Sequence, residues 1–243
     1  MPTETLHRLL VTFQANLKRR KGIHSYLSDP YLQSLHNICV QLDPKQIATQ
    51  IASNTRFVVI DTETTGFHAY SGDEIVSISL LAMDGLTLTG KEYHRFVNPQ
   101  RKIPAESTAI HGINDQDVAH CPTIRDIIGE IIEFIDHAVI VGHHVNFDIR
   151  FLNKTLQKQL FCTLVNPWID TMLLYTACSG RVGHYTLDEV AAVCKIINPA
   201  RHTAAGDAIT TAMIFQQLAK RFIKTEETCI EKLLAAQYEV GYF

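Results

Sequence analysis

The sequence predicts an α/β protein with a mixed sheet, preceded by a helical extension. Three observations predict it. The apolar run Phe57-Val58-Val59-Ile60 reads as a strand buried on both faces. Residues 75–83 and 86–97 change to a period of two on either side of Asp84-Gly85, a strong hairpin signal. Beyond residue 122, apolar residues at helical spacing alternate with a second short apolar run at 138–141. Such alternation adds a parallel component to the sheet.

Residues 1–52 read as a helical piece set apart from the rest. Leu6, Leu9, Leu10, Phe13 and Leu17 recur at helical spacing, and the basic run at 18–21 precedes Gly22, a C-terminal stop. Asp29-Pro30 and Asp43-Pro44 open a second and a third helix, since Asp caps and Pro suits the first helical position. The basic run either touches phosphates or solvates a helix end. The main domain is expected over 53–224, opening on the 57–63 strand and the hairpin.

Pro122-Thr123 caps a helix whose Ile124, Ile127, Ile128, Ile131 and Ile135 form one stripe. The 138–141 strand ends at Gly142, and Asn146 is placed to cap the next helix, with Phe147, Phe151 and Leu152 inward and Asp148 in its first turn. Thr186-Leu187-Asp188-Glu189 is a capping box. His202 precedes a long helix over 203–222 whose small first residues allow close approach to the sheet. Thr225 caps a final amphipathic helix within 225–243.

Composition narrows the function. A chain of 243 residues suits one domain plus an extension, and 46% hydrophobic residues suffice for an ordinary core. A formal net charge of −3 excludes a basic nucleic-acid coat, so a nucleic-acid partner has to be gripped locally. The six cysteines form no Cys-x-x-Cys pair, which argues against a zinc knuckle or a disulfide framework and fits a reducing compartment. The N-terminus lacks the order of a signal peptide, and no apolar run approaches a membrane span. A cytoplasmic protein with no membrane partner is expected.

Asp61 and Glu63 stand at i and i+2 at the end of the first strand, so both carboxylates project from one face. Two acids there repel each other unless a positive charge lies between them, and a divalent metal is the usual solution. Gly66, in the Thr64-Thr65-Gly66 turn, lets something approach the backbone closely.

Three segments, DTETTGF at 61–67, GHHVNFDIRFL at 142–152 and RHTAAGDAITTAMIF at 201–215, occur in an order that resembles the DnaQ-like 3′–5′ exonucleases of the DEDDh type. That group includes proofreading subunits of DNA polymerases and RNase T-like ribonucleases. The resemblance covers residues 55 to about 222. It implies a ribonuclease H-like three-layer α/β/α fold with a five-stranded mixed sheet. It also implies that Asp61, Glu63, Asp148 and Asp207 hold two divalent cations, Mg²⁺ or Mn²⁺, with His202 as general base. Asp61 would bridge the ions, Glu63 and Asp207 would hold the water-activating one, and Asp148 the other.

By the same resemblance Thr64, Thr65, Gly66, Phe67, Ile110, His111, His143 and Phe147 contact the terminal nucleotide, Phe67 by stacking or wedging and Ile110-His111-Gly112-Ile113 by lining the base pocket. One position departs from the pattern. His144 stands where the family commonly writes Asn, an amide that touches the substrate or the loop. The function implied is release of nucleoside 5′-monophosphates from single-stranded DNA 3′ ends, in proofreading or repair. The alternatives are an RNase T-like 3′–5′ exoribonuclease and a non-catalytic nucleic-acid-binding module; retention of all five site residues weighs against the latter. The expected partners are a single-stranded nucleic-acid 3′ end, DNA over RNA, and a protein docked on the N-terminal helices.

Overall fold

The computed structural model describes residues 29–239. The helix expected over 6–17 and the basic run at 18–21 lie outside the described residues. Helices α1 (Pro30–Gln41) and α2 (Pro44–Ala48) begin as their sequences dictate: Asp29 accepts from the Tyr31 and Leu32 amides, Asp43 from Lys45, and each helix has proline in its first turn.

Five strands form one sheet: β1 (Arg56–Thr64), β2 (Ile75–Asp84), β3 (Thr87–Phe96), β4 (Val139–Gly142) and β5 (Trp168–Asp170), in the order β3-β2-β1-β4-β5. The pairs β1–β2 and β2–β3 are antiparallel, whereas β1–β4 and β4–β5 are parallel. This is the ribonuclease H-like α/β arrangement. The hairpin turn sits one residue later than expected. Asp84 pairs with Thr87, leaving Gly85-Leu86 as the turn. Gly85 has φ 54°, at the position that a type II′ turn reserves for glycine.

The remaining helices are α3 (Ala105–His111), α4 (Asp115–Val118), α5 (Ile124–Ile135), α6 (Asn146–Gln159), α7 (Thr171–Ser179), α8 (Leu187–Val193), α9 (Ala204–Ala219) and α10 (Ile230–Glu239). Helices α5 to α10 sandwich the sheet because β1 alternates. Val58 and Ile60 join a core with Leu35 and Cys39 of α1, Ile127 and Ile131 of α5, and Phe151 and Leu152 of α6. Phe57 and Val59 face the other way, into a core with Leu174 of α7, Val190 of α8, Phe215 of α9 and Leu233 of α10. The Phe57 and Phe215 rings lie 5.0 Å apart, and burying one such side chain contributes about 1.5–3 kcal/mol. The described part of the N-terminal extension feeds both cores, α1 on one face and Leu42 and Ile47 on the other.

Two caps differ from the sequence expectation. Asn146 is the first residue of α6, not its cap; Val145 holds that place and makes no side-chain bond. The acceptor comes from β5 instead, where Asp170 takes the His144 and Val145 amides at 3.1 Å each. Thr225 does not cap the last helix either. Its amide donates to Thr228 Oγ1 at 3.2 Å, and α10 begins at Ile230. The helix expected over 203–222 is regular over Ala204–Ala219, with Phe222 packed at its end. Gln237 of α10 closes the β5 edge, accepting from the Asp170 amide at 3.0 Å and donating to Trp168 O at 2.9 Å. No described helix is long and apolar enough to cross a membrane.

Candidate active site

The site forms at the C-terminal end of β1, against the first turns of α6 and α9. Alternation continues beyond Ile60, so Asp61 and Glu63 follow Phe57 and Val59 toward α9, while Thr62 follows Val58 and Ile60 toward α6. Asp207, in the first turn of α9, meets the first pair. One carboxylate oxygen from each of Asp61, Glu63 and Asp207 lies within 4.8 Å of the others. Asp148, in the first turn of α6, is buried and accepts a 2.6 Å hydrogen bond from Thr62 Oγ1.

Electrostatics follow from that crowding. Burial, and then the charges of Asp148, Asp207 and Glu63, push the Asp61 carboxyl well above the usual carboxylate range. Glu63 is pushed up to about 7 by burial and by Asp207, with Arg201 acting in the opposite sense. Asp148 also reaches about 7, because burial outweighs the Thr62 hydrogen bond. Burial raises Asp207 as well, against the pull of Arg201. A hard, all-oxygen donor set in which Asp61 and Glu63 are pushed up by the neighbouring carboxylates fits a divalent cation.

His202 is exposed on the loop before α9, with φ 63°, and its amide donates to Asp207 Oδ2 at 3.3 Å. A non-glycine residue in the left-handed region is a sparsely used conformation that clusters at functional sites. Thr203 caps α9 by accepting from the Gly206 amide at 3.1 Å. A Cβ on Gly206 would collide with the Ala200 carbonyl, so only glycine lets this loop fold over the helix start.

The nucleotide-contact candidates form two groups. The Thr64 hydroxyl donates to Gly66 O at 2.7 Å and the buried Thr65 hydroxyl to Asp73 Oδ1 at 3.3 Å, so both serve to shape the turn. Gly66 abuts Asp73, which leaves no room for a Cβ. Helix α3 braces this turn through Ser107 Oγ, which donates to Thr65 O at 3.0 Å. His111 is buried, and its Nδ1 accepts from the Ile113 amide at 3.1 Å; burial lowers its pKa. Phe67 is 73% exposed, and its ring lies 6.2 Å from that of Phe147, which in turn packs on Phe151. Ile110 is exposed on α3.

His143 is turned inward. Its Nδ1 pairs with Thr171 Oγ1 at 3.0 Å and its Nε2 with Tyr185 O at 2.9 Å, and burial pushes its pKa down to about 4. His144 has φ 57°, a conformation in which Asn and His are enriched, so the backbone accounts for both residue types here. Its ring stacks on His184 at 4.4 Å, a contact to the loop before α8.

Sequence reasoning missed four supports of the site: Thr62, Asp170, Asn198 and Arg201. Asn198 Nδ2 donates to Asp207 Oδ1 at 2.6 Å, and Arg201 Nη1 donates to Asp207 Oδ2. Asp170 had a readable signal, since Trp168-Ile169 runs straight into an acid that caps α7 by accepting from Met172.

A ribonuclease H-like sheet with four acids gathered at the end of its central strand defines a nuclease class. The comparisons agree. A family model described as exonuclease, RNase_T, matches residues 58–215. A DNA polymerase III subunit epsilon-like protein of Rhodobacter capsulatus is 40% identical over 167 residues, 67% of this chain and 23% of that protein. The DNA polymerase III subunit epsilon of Rickettsia typhi is 32% identical over 173 residues, 68% of this chain and 75% of that protein. E. coli exonuclease I, solved with a dT13 oligonucleotide, shares the fold at a TM-score of 0.61 and 16% identity, over 69% of this chain and 42% of that one. The chain belongs to this exonuclease family, in its DnaQ-like 3′–5′ group. It spans about a quarter of the R. capsulatus relative and three quarters of the R. typhi one.

Proposed function

We propose that this protein is a metal-dependent 3′–5′ exonuclease that releases nucleoside 5′-monophosphates from single-stranded DNA ends, in proofreading or repair. The observation that carries the reading is the meeting of Asp61, Glu63 and Asp207 within 4.8 Å, with Asp148 tied to the intervening Thr62. Asp61, Glu63 and Asp207 would hold one divalent cation, and Asp61 with Asp148 a second. When bound, such cations acidify the attacking water and neutralise charge on the leaving oxygen. His202, exposed on the loop before α9, would take the proton from the attacking water. Phe67 and Phe147 offer a stacking surface for the terminal base, next to the Thr64-Thr65-Gly66 turn, and exposed Ile110 would line the base pocket. The likeness to epsilon subunits favours DNA over RNA and a polymerase-type protein partner.

Linear single-stranded DNA, RNA of matched sequence and a covalently closed DNA circle, each incubated with Mg²⁺ or Mn²⁺, test this. Linear DNA should be shortened from its 3′ end to 5′-monophosphates, and the circle should survive. Circles cut as fast as linear strands would make the protein an endonuclease. RNA degraded faster than DNA would replace this reading with the ribonuclease one. Duplex ends should be slower than single strands, because a paired terminal base must first be unstacked.

A further inference from the structure

Arg201 is a cation placed where the acids call for one. Its Nε donates to Asp188 Oδ1 at 2.6 Å and its Nη1 to Asp207 Oδ2. Asp207 Oδ2 also accepts the His202 amide at 3.3 Å, and Oδ1 accepts Asn198 Nδ2 at 2.6 Å. A carboxylate oxygen offers about two acceptor positions. Oδ2 is therefore full and Oδ1 half full. A divalent ion that takes Asp207 as a ligand, at about 2.1 Å for Mg²⁺, must displace the guanidinium from Oδ2 or share one carboxylate with it. Two cations that close repel each other. Asp188 offers the way out. It lies in the first turn of α8, its side chain is 60% exposed, and it already holds the other edge of the same guanidinium.

We propose that Arg201 is the built-in counter-cation of the metal site: it neutralises Asp207 in the metal-free protein and withdraws onto Asp188 when a divalent ion binds. The Arg201–Asp188 pair would then set the metal affinity of the site. Arg201 is a positioning residue in this account, acting through Asp207 and not on the substrate. The inference rests on the metal assignment made under the proposed function.

The test is calorimetric titration of Mn²⁺ into wild type, Arg201→Gln, Asp188→Asn and the double variant, with melting temperatures measured in parallel. Arg201→Gln should bind Mn²⁺ roughly tenfold tighter, while its metal-free melting temperature falls because the acids lose their counter-charge. Asp188→Asn should bind several-fold more weakly, since Arg201 then has only Asp207 to hold. In the double variant the effect of Asp188→Asn should vanish. Unchanged or weaker Mn²⁺ binding in Arg201→Gln overturns the inference and makes Arg201 a brace of the loop. An Asp188→Asn effect of equal size in both backgrounds also overturns it. If wild type binds no Mn²⁺, or Asp61→Asn binds it as tightly, the metal assignment itself fails and the inference falls with it.

Discussion

Thr62 Oγ1 and Asp148 Oδ1 lie 2.6 Å apart across 86 positions of the chain, and that bond explains how one strand serves both layers. Because side chains alternate, Asp61 and Glu63 face α9 while the residue between them faces α6. Thr62 is small, β-branched and carries one hydroxyl, so it suits a strand and still gives the buried Asp148 a donor. The acids thus approach from two layers and meet at one strand end. Elsewhere in a core, that concentration of carboxyl groups would be unfavourable without a cation.

Asp61→Asn should abolish nuclease activity without unfolding the protein. At neutral pH and without metal the variant should be at least as stable as wild type, because a carboxyl with a raised pKa no longer faces Asp148, Asp207 and Glu63. A gain on the order of 1 kcal/mol corresponds to a melting shift of about 2–4 °C for a protein of this size. The gain from Mn²⁺ should be lost. Equal Mn²⁺ stabilisation of wild type and Asp61→Asn in a thermal melt would refute the metal assignment.

The metal-free protein should lose stability as pH rises through the weakly acidic range. Glu63 titrates near 7 in the folded state against 4.5 as its ordinary value, so the folded state holds its proton longer. A raised carboxyl favours folding below the ordinary value, and that contribution is lost as pH climbs toward the folded one. The effect of one such group is at most about 3 kcal/mol, less for the part of Glu63 that reaches solvent. His143 works in the opposite sense, because its depressed pKa costs stability as pH falls below 6.5 toward 4. The difference between wild type and Glu63→Gln therefore isolates the carboxyl. Melting curves at a series of pH values, with chelator, should show that difference growing between about pH 4.5 and 7. A flat difference across that window would mean that Glu63 is solvated normally.

Lys154 should matter for substrate binding more than for chemistry. Its buried Nζ donates to Asp73 O at 2.6 Å and pairs with Glu74 at 2.7 Å, while Asp73 receives the Thr65 hydroxyl and the His68 amide. The segment between them presents Phe67. Lys154→Met keeps the aliphatic stem but leaves Glu74 and the Asp73 carbonyl without their donor, a cost of about 1–3 kcal/mol. KM should rise several-fold with Mn²⁺ affinity unchanged. A fall in kcat alone, with KM as in wild type, would show that the turn does not position substrate.

What the sequence made legible was whatever depends on neighbours along the chain. The apolar run at Phe57–Ile60 and the period-two segments gave the antiparallel half of the sheet, and the same alternation put Asp61 and Glu63 on one side. The capping of α1, α2 and α8 also followed from local residue order. Strand β5 is only three residues long, too short to show a period, so it could be counted by resemblance but not located. Asn146 looked like a cap because the true acceptor, Asp170, lies on a different strand. Thr62 and Arg201 escaped notice for a related reason. A threonine in a strand and an arginine before a helix carry no signal until the fold shows which carboxylate each one meets.

His202 is the last and most direct test of the chemistry. Its backbone lies at φ 63°, so the substitution that removes the proposed base while keeping the loop is Asn, which tolerates the left-handed region better than Gln or Ala. His202→Asn should fold with a wild-type melting temperature and bind Mn²⁺ with nearly wild-type affinity, because the imidazole is not proposed as a ligand. The rate constant kcat should fall on the order of 10² to 10⁴, with KM little changed. The side chain is exposed, so its removal leaves a space open to solvent. Free imidazole added to His202→Asn should therefore restore part of the rate, and should do nothing for Asp61→Asn, whose defect is metal binding. Weaker Mn²⁺ binding in His202→Asn would make the histidine a ligand. A rate close to that of wild type would place the base on another residue.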